Sequence, residues 1–341
     1  MRYILFGKTD LTVSKVGFGG IPIIRLDEDT AVTVLRRAYD AGITLYDTAN
    51  AYRDSEKKIG RALGNVRAKV VLATKTLRRD APGAVEQLEN SLRMMKTEYI
   101  DIYQLHQIAQ EKDWAIVTGP GGAMEAVIKA KEQGKIRYIG VTSHNLAMAV
   151  KLVKTDMFST VQFPFNFIED AAKDKLHTAA RQRGMGILAM KPFAGGVMDN
   201  AGIAFKFLRE HPDVVALPGF DAPERVDEIC AFYRQPNAVT EKDLKLMEKY
   251  HTELGKQFCR RCEYCQPCPQ GVMITSAMSY KVIAARMSSK VAVEFAKIPM
   301  ESVQLCTECR ECVDRCPYEL PIPDILKVHY DLYEQHMAEN K

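Results

Sequence analysis

Short apolar runs alternate with longer amphipathic stretches along most of this chain, beginning near residue 16. The runs are four to six residues long, which is typical of buried β-strands. Between them, stretches such as 30–40, 83–94 and 171–183 place apolar residues at the spacing of an amphipathic helix. The eight predicted strands are 16–19, 43–46, 70–73, 100–105, 136–141, 160–163, 186–190 and 214–217.

Eight strand–helix repeats in succession predict an α/β fold of the (β/α)8 TIM-barrel type. A doubly wound parallel sheet is the alternative, although such a sheet rarely needs eight regular units. The G-x-G-x-x-G fingerprint of dinucleotide-binding sheets is missing after the first strand, because Gly17, Gly19 and Gly20 have a different spacing. The pattern therefore favours the barrel.

Two further apolar stretches, 3–6 and 11–14, precede the first barrel strand, and a polar segment with a glycine separates them. This arrangement predicts a β-hairpin. We expect the hairpin to cap the bottom of the barrel, where no chemistry takes place.

Eight of the nine cysteines fall in two short runs near the C-terminal end of the chain. The first run reads C-x2-C-x2-C-x2-C-P and the second C-x2-C-x2-C-x3-C-P. Thiolates at this spacing are ligands of iron–sulfur clusters, and the second run matches the bacterial ferredoxin pattern in full. The sequence predicts two 4Fe–4S clusters, held by Cys259, Cys262, Cys265, Cys268, Cys306, Cys309, Cys312 and Cys316.

Zinc also binds four cysteines, but structural zinc sites usually take them from two separated C-x2-C pairs. A disulfide framework suits a small secreted protein rather than a chain of 341 residues. The ninth cysteine, Cys230, lies in an apolar helical stretch and is expected to be a core residue. In two-cluster ferredoxins the fourth cysteine of each run ligates the other cluster. By that rule Cys268 joins the second run and Cys316 joins the first.

The chain between Cys268 and Cys306 is too long for the compact two-cluster ferredoxin, and 274–297 has helical spacing. We therefore expect an α-helical ferredoxin-like domain rather than the small β-rich one. The predicted organisation is a barrel over 1–235, a linker helix over 236–254, and the ferredoxin-like domain with a C-terminal helix over 255–341.

Composition excludes several classes of protein. Hydrophobic residues make up 47% of the chain and charged residues 26%, as in ordinary globular proteins. The net charge is only +4 and no basic run occurs, so nucleic-acid binding is not expected. No segment supplies the ~18 apolar residues of a membrane span, so no membrane partner is expected. Cluster thiolates must stay reduced, which predicts a cytoplasmic location.

Titratable residues follow three consecutive predicted barrel strands. Asp47 and Tyr52 follow the second strand, Lys75 the third and His106 the fourth. Catalytic residues of TIM barrels lie at these C-terminal strand ends, so the four side chains can converge over one pocket. Taken alone, each of these residues could also have a purely structural role, such as a helix cap or a surface charge.

The motifs around these residues resemble those of the aldo-keto reductase family. The resemblance is carried by Asp47-Thr48-Ala49-Asn50-Ala51-Tyr52 with Ser55-Glu56, by Ala73-Thr74-Lys75, and by Asp101-Ile102-Tyr103-Gln104-Leu105-His106. With its cysteine runs, the whole chain is similar to the branch of this family that has a C-terminal 4Fe–4S domain. The resemblance implies a barrel reductase that uses a nicotinamide cofactor without a dinucleotide-binding sheet.

The resemblance also implies a role for each residue of the tetrad. Tyr52 is the proton donor to a carbonyl oxygen, and an ordinary tyrosine pKa of about 10 is too high for this task at neutral pH. The ammonium group of Lys75 would lower that pKa, and Asp47 would hold Lys75 charged. His106 would position the carbonyl through a hydrogen bond.

The expected NADP(H) or NAD(H) site departs from the family pattern in places. Thr142-Ser143 stands where the family usually has Ser-Asn for the carboxamide, and Met190 replaces the stacking aromatic residue. Arg225 either meets a 2′-phosphate, which favours NADP, or is a surface charge of a helix. The expected cofactor residues are Thr142, Ser143, Gln162, Met190, Lys191, Pro192, Phe193, Gly195, Gly196, Gly219, Arg225 and Glu228.

Three functions follow from these expectations. The first is an NAD(P)H-dependent reductase of a small carbonyl, or an enzyme that catalyses the reverse oxidation of an alcohol with NAD(P), whose clusters pass electrons to a ferredoxin or another electron-transfer protein. The second is a reductase whose clusters are only structural. The third is a non-catalytic electron relay or redox sensor with the barrel as a scaffold. The filled tetrad favours the first two, whereas the replacements at Ser143 and Met190 keep the third open.

Overall fold

Ten strands occur in the described residues of the computed structural model, which are 1–255, 259–261, 263–285, 287–316 and 318–340. Two form an N-terminal hairpin and eight form a parallel sheet. In chain order they are β1 (Tyr3–Leu5), β2 (Thr12–Ser14), β3 (Phe18–Gly19), β4 (Leu45–Asp47), β5 (Val71–Thr76), β6 (Ile100–Leu105), β7 (Ile136–Thr142), β8 (Thr160–Pro164), β9 (Gly186–Met190) and β10 (Val214–Leu217).

The parallel sheet closes into a barrel. Strands β3 to β10 are neighbours in chain order, and isolated parallel bridges join Val16 to Ala216 and Gly19 to Gly219. The Gly19 amide donates to the Pro218 carbonyl at 2.7 Å, which brings the first barrel strand against the last. The predicted (β/α)8 barrel is confirmed. Its first strand is shorter than predicted because residue 16 joins the sheet only through an isolated bridge.

Helices alternate with the barrel strands, and polar side chains set where several of them begin. Asp27, Asp80 and Asn145 each accept a hydrogen bond from a backbone amide in the first turn of the helix that follows. These helices are α1 (Glu28–Asp40), α2 (Ser55–Leu63), α3 (Ala81–Met95), α4 (Glu111–Thr118), α5 (Ala123–Glu132), α6 (Leu146–Val153), α7 (Thr178–Gln182), α8 (Ala201–Arg209) and α9 (Pro223–Phe232).

The hairpin of β1 and β2 closes the bottom of the barrel, as predicted. Its turn residue Lys8 donates its backbone amide to the Gly184 carbonyl at 2.6 Å, just before β9 begins. Phe6 is fully buried and packs in a cluster with residues from five barrel strands, including Leu45 and Leu188. The opposite, C-terminal ends of the strands are therefore the ends at which a pocket can form.

The remaining described residues form a second compact unit, Gly195–Asp199 with Glu241–Lys341, while the barrel unit comprises Met1–Ala194 and Asn200–Thr240. The core of this second unit contains Tyr280, Ala292 and Ala296. The helices of this unit are α10 (Glu241–Gly255), α11 (Ile274–Ala277), α12 (Tyr280–Ala284), α13 (Ser289–Glu301), α14 (Glu311–Asp314) and α15 (Ile322–Glu339). The predicted helical character of the C-terminal domain is confirmed, whereas the predicted boundaries at 235 and 254 stay predictions. None of the described helices combines the length and the apolar character that a membrane span requires.

Candidate active site and cluster cavities

The C-terminal ends of β4, β5 and β6 bring the predicted tetrad together. Asp47 is the last residue of β4, Lys75 the next-to-last residue of β5, and His106 directly follows β6. Tyr52 lies in the connection between β4 and α2. Because parallel neighbouring strands end on the same side of a barrel, these side chains meet over its mouth.

Lys75 and Asp47 form a buried ion pair. The Lys75 Nζ lies 2.6 Å from Asp47 Oδ2 and also donates to the Thr48 carbonyl oxygen at 2.5 Å. Lys75 is only 1% exposed and Asp47 only 4%. A buried ammonium keeps its charge only when it is paired and hydrogen-bonded, and both conditions are met here.

Tyr52 and His106 lie next to this pair. The Lys75 Nζ is 5.3 Å from the centroid of the Tyr52 ring, and the Tyr52 and His106 rings meet edge to face with centroids 5.9 Å apart. Burial, together with the positive charges of Lys75 and Arg79, lowers the pKa of His106 to about 3. His106 is therefore a neutral imidazole at physiological pH and can donate a hydrogen bond without carrying charge.

Two residues that the sequence interpretation left out belong to this neighbourhood. Gln104 donates from Nε2 to Asp47 Oδ1 at 3.0 Å. Glu56 accepts from the Thr74 hydroxyl at 2.6 Å, and burial raises the pKa of its carboxyl. In the sequence, Gln104 stands two residues before His106. Alternate residues of a strand face the same side, so this spacing could have indicated that Gln104 lies near the tetrad. Glu56 was noted only as part of a family motif.

The cysteines of the C-terminal unit line two cavities. One cavity is lined by Cys268 from the first run and by three cysteines of the second run, Cys306, Cys309 and Cys312. The other is lined by Cys259, Cys265 and Cys316. The remaining predicted ligand, Cys262, lies outside the described residues. We call these the outer cavity, which includes the exposed Cys309, and the inner cavity, which includes the buried Cys265.

The thiol sets of both cavities fit iron–sulfur clusters. Four thiols surround the outer cavity, and four is the number that a 4Fe–4S cluster requires. Among the described residues, no three His, Cys, Asp or Glu side chains converge closely enough to hold a single metal ion. Ile274 lines both cavities and so forms part of the wall between them.

Comparison with known families agrees with the barrel and with the cysteine pattern. Residues 15–254, well over half of the chain, match the model of the aldo/keto reductase family. The chain belongs to this family. Residues 258–320 match the model of a 4Fe-4S dicluster domain.

This aldo-keto reductase has curated relatives in Bacillus subtilis. It is 30% identical over 233 residues to the uncharacterized oxidoreductase YrpG, which covers 60% of this chain and 70% of the relative. It is 32% identical over 218 residues to the aldo-keto reductase YhdN, covering 58% of this chain and 64% of the relative.

Solved structures share the barrel fold. The holo form of an aldo-keto reductase from Bacillus halodurans matches with a TM-score of 0.62 and 22% identity, covering 73% of this chain and 96% of that one. An aldo/keto reductase from Klebsiella pneumoniae in complex with NADP and acetate matches with a TM-score of 0.61 and 23% identity, covering 73% and 95% of the two chains.

The residues expected at the carboxamide end of the cofactor are buried in the barrel unit. Gln162 donates from Nε2 to Asp47 Oδ2 at 3.3 Å, and its Oε1 is buried without a hydrogen-bond partner in the described part of the chain. A carboxamide NH2 group would satisfy that oxygen, so Gln162 fits a nicotinamide. The Thr142 hydroxyl accepts from the backbone amide of Gln107, next to His106, and the Ser143 hydroxyl accepts from that of Asn145.

The other expected cofactor residues are spread over three segments. Met190 is the last residue of β9, Lys191 to Phe193 follow it, and Gly195 and Gly196 group with the second unit. Gly219 lies against Gly19, and a Cβ atom there would come within 2.3 Å of a Pro22 side-chain atom, so close packing explains this glycine by itself. Arg225 forms an exposed ion pair with Glu228 at 3.2 Å on α9. Cofactor contacts by these residues stay predictions.

Proposed function

We propose that this protein is an NAD(P)-dependent oxidoreductase that interconverts a small carbonyl compound and its alcohol. We propose further that its two 4Fe–4S clusters connect the protein to a one-electron partner such as a ferredoxin. The observation that carries the proposal is the buried ion pair of Lys75 and Asp47 beside Tyr52 and His106.

Each residue of the barrel site has a part in the proposed reaction. Tyr52 gives its hydroxyl proton to the carbonyl oxygen. The Lys75 ammonium stabilises the phenolate that results, and Asp47 compensates the buried positive charge. Neutral His106 donates a hydrogen bond that orients the carbonyl group. A bound nicotinamide supplies the hydride.

A nicotinamide cofactor is supported by two observations. Gln162 offers a buried, unsatisfied amide oxygen beside the tetrad, within the described barrel residues. The related structures from Klebsiella pneumoniae were solved in complex with NADP and with NADPH. The proposal includes both NAD and NADP. Arg225, the residue that could bind the 2′-phosphate of NADP, is already paired with Glu228.

Electron transfer is supported by the arrangement of thiols in the C-terminal unit. Clusters of this type carry one electron each, so two clusters together match the two electrons of a hydride. Cys309 of the outer cavity is exposed, whereas Cys265 of the inner cavity is buried. The outer site is therefore the one at which we place exchange with a partner protein.

A structural role for the clusters is the second candidate. Six cysteines, Cys259, Cys265, Cys268, Cys306, Cys312 and Cys316, belong to or pack against the hydrophobic core of the C-terminal unit. Clusters bound there would stabilise the unit whether or not they carry electrons.

An anaerobic titration with NADPH separates these candidates. With a generic aldehyde present, turnover that requires NADPH or NADH supports the proposed barrel chemistry. Loss of the visible cluster absorbance on addition of NADPH supports electron transfer, and unchanged absorbance with continued aldehyde turnover supports structural clusters. If neither turnover nor nicotinamide binding occurs, the proposal of a barrel reductase is wrong.

A further inference from the structure

The Asp47 carboxylate accepts hydrogen bonds from three side chains. Lys75 donates to Oδ2 at 2.6 Å, Gln162 to Oδ2 at 3.3 Å, and Gln104 to Oδ1 at 3.0 Å. Gln104 is thus the side chain that holds Oδ1, whereas Lys75 and Gln162 both bind Oδ2. Both oxygens of Asp47 are engaged, so the plane of the carboxylate is fixed.

The direction of the Gln104 amide follows from charge. An ionised carboxylate only accepts hydrogen bonds, so the NH2 end of Gln104 must face Asp47. Gln104 is fully buried in β6, and the absence of a side chain at Gly140 leaves it room, since a Cβ there would lie 3.0 Å from Gln104 Cγ. The glutamine is therefore held in the barrel interior, away from the strand end at which a carbonyl substrate would lie.

The ammonium group of Lys75 has three N–H donors. Two of them are directed to Asp47 Oδ2 and the Thr48 carbonyl oxygen, and these two bonds determine where the third points. The Tyr52 ring lies 5.3 Å from the same nitrogen. We propose that Gln104 is a positioning residue for the proton donor, because it fixes Asp47 and thereby directs the Lys75 ammonium at Tyr52.

The inference rests on the proposed role of Tyr52 as the proton donor. A well-directed ammonium favours the phenolate and lowers the pKa of the tyrosine. When Gln104 no longer holds Asp47, the ammonium is less well directed and the tyrosine pKa rises.

The test is the pH dependence of kcat/KM for NADPH-driven aldehyde reduction in Gln104→Met. Methionine has nearly the volume of glutamine but no donor. We expect kcat to fall about tenfold, the scale of one lost hydrogen bond to a charged group. We expect the basic limb of the profile, which reports the tyrosine pKa, to move to higher pH, while the Kd of NADPH stays within about twofold.

Thr160→Val is the matched control. Thr160 is buried on β8 and its hydroxyl has no hydrogen-bond partner within the described residues, so the change removes a polar group from the barrel interior without touching Asp47. The control should keep the basic limb of the wild-type protein. If Gln104→Met keeps the wild-type limb, or if Thr160→Val shifts the limb equally, the inference is wrong.

Two further variants keep the test decisive. If Gln104→Met fails to fold, Gln104→Asn keeps a polar amide in the barrel but draws the donor back from Asp47, and it should show the same shift. Tyr52→Phe separates this inference from the proposed function. An active Tyr52→Phe protein contradicts the proton-donor role itself, whereas an inactive one with an unshifted Gln104→Met limb contradicts only the role of Gln104.

Discussion

Lys75 is the residue on which the proposed barrel chemistry depends. Its side chain is almost completely buried, and its Nζ is bonded to Asp47 and to the Thr48 carbonyl oxygen. Removing either residue of this ion pair leaves the charge of the other residue uncompensated. Substitutions at Asp47 and Lys75 should therefore have non-additive effects, as expected for residues that act as a unit.

Replacing Tyr52 with phenylalanine should lower the rate of aldehyde reduction at least ~10²-fold, the usual scale for loss of a general acid. Binding of NADPH, measured by titration, should change little because only the hydroxyl is removed. Tyr138→Phe is the matched control, since that hydroxyl bonds to the exposed Asp10 and lies at β7 near the hairpin. Wild-type turnover in Tyr52→Phe would contradict the assignment of the tetrad.

Because the pKa of His106 is lowered, we expect no acid limb near pH 6.5 in the dependence of kcat/KM on pH. An ordinary histidine becomes charged as the pH falls through 6.5, whereas the pKa of His106 lies at about 3. His106 therefore stays neutral down to the lowest pH at which the protein is assayed, and kcat/KM for aldehyde reduction should be nearly constant between about pH 5.5 and 7.5. An acid limb near pH 6.5 that disappears in His106→Gln would show that the imidazole does titrate in this range.

At the scale of elements, the two cysteine runs are joined through the cavities they line. Cys268 lies with the second run around the outer cavity, and Cys316 lies with the first run around the inner cavity. Arg315 reinforces the connection by donating to the Pro267 carbonyl oxygen at 3.0 Å, next to Cys268. This arrangement supports the crossed ligand sets expected from two-cluster ferredoxins.

The crossed arrangement predicts which cluster each cysteine substitution damages. Wild-type protein purified without oxygen should contain about eight irons and eight inorganic sulfides per chain, four of each per cluster. Cys268→Ala should damage the cluster of Cys306, Cys309 and Cys312, while Cys265→Ala damages the other one. Electron paramagnetic resonance of the reduced proteins distinguishes the two.

Cys230→Ala is the control for these substitutions, since Cys230 is buried in α9 of the barrel unit and should leave the iron content unchanged. Loss of the same cluster signal in Cys268→Ala and Cys265→Ala would contradict the crossed arrangement. Stoichiometric zinc without acid-labile sulfide would contradict the clusters altogether.

At the scale of the whole molecule, the chain combines two units with separate hydrophobic cores. The barrel unit has the residues for proton and hydride chemistry, and the C-terminal unit has the thiols for one-electron chemistry. Because each unit buries its own apolar residues, damage to the clusters need not unfold the barrel.

This separation predicts that two activities can be dissociated. Cys306→Ala should abolish electron transfer from NADPH to a one-electron viologen dye, because the outer cluster is lost. Reduction of an aldehyde by NADPH should stay within about twofold of wild type, since the tetrad lies in the barrel unit. Parallel loss of both activities in a protein with native far-ultraviolet circular dichroism would instead favour clusters that support the barrel pocket.

Several parts of this protein could be predicted because their signals are local in the chain. The strands were visible as apolar runs, and the tetrad could be named because Asp47, Lys75 and His106 each follow a predicted strand. Gln104 could not be named in this way, because the role proposed for it depends on Asp47, which lies on a different strand. The cofactor roles that the family pattern gives to Thr142 and Ser143 stay predictions, and in the structure both hydroxyls accept hydrogen bonds from backbone amides.

The sequence by itself determined the barrel, the hairpin beneath it and the iron–sulfur character of the C-terminal unit. Periodicity and ligand spacing are properties of consecutive residues, so they can be read without coordinates. Only the tertiary structure decided that Gln104 and Gln162 converge on Asp47. These contacts join residues far apart in the chain, and closure of the barrel and packing of the helices bring them within bonding distance.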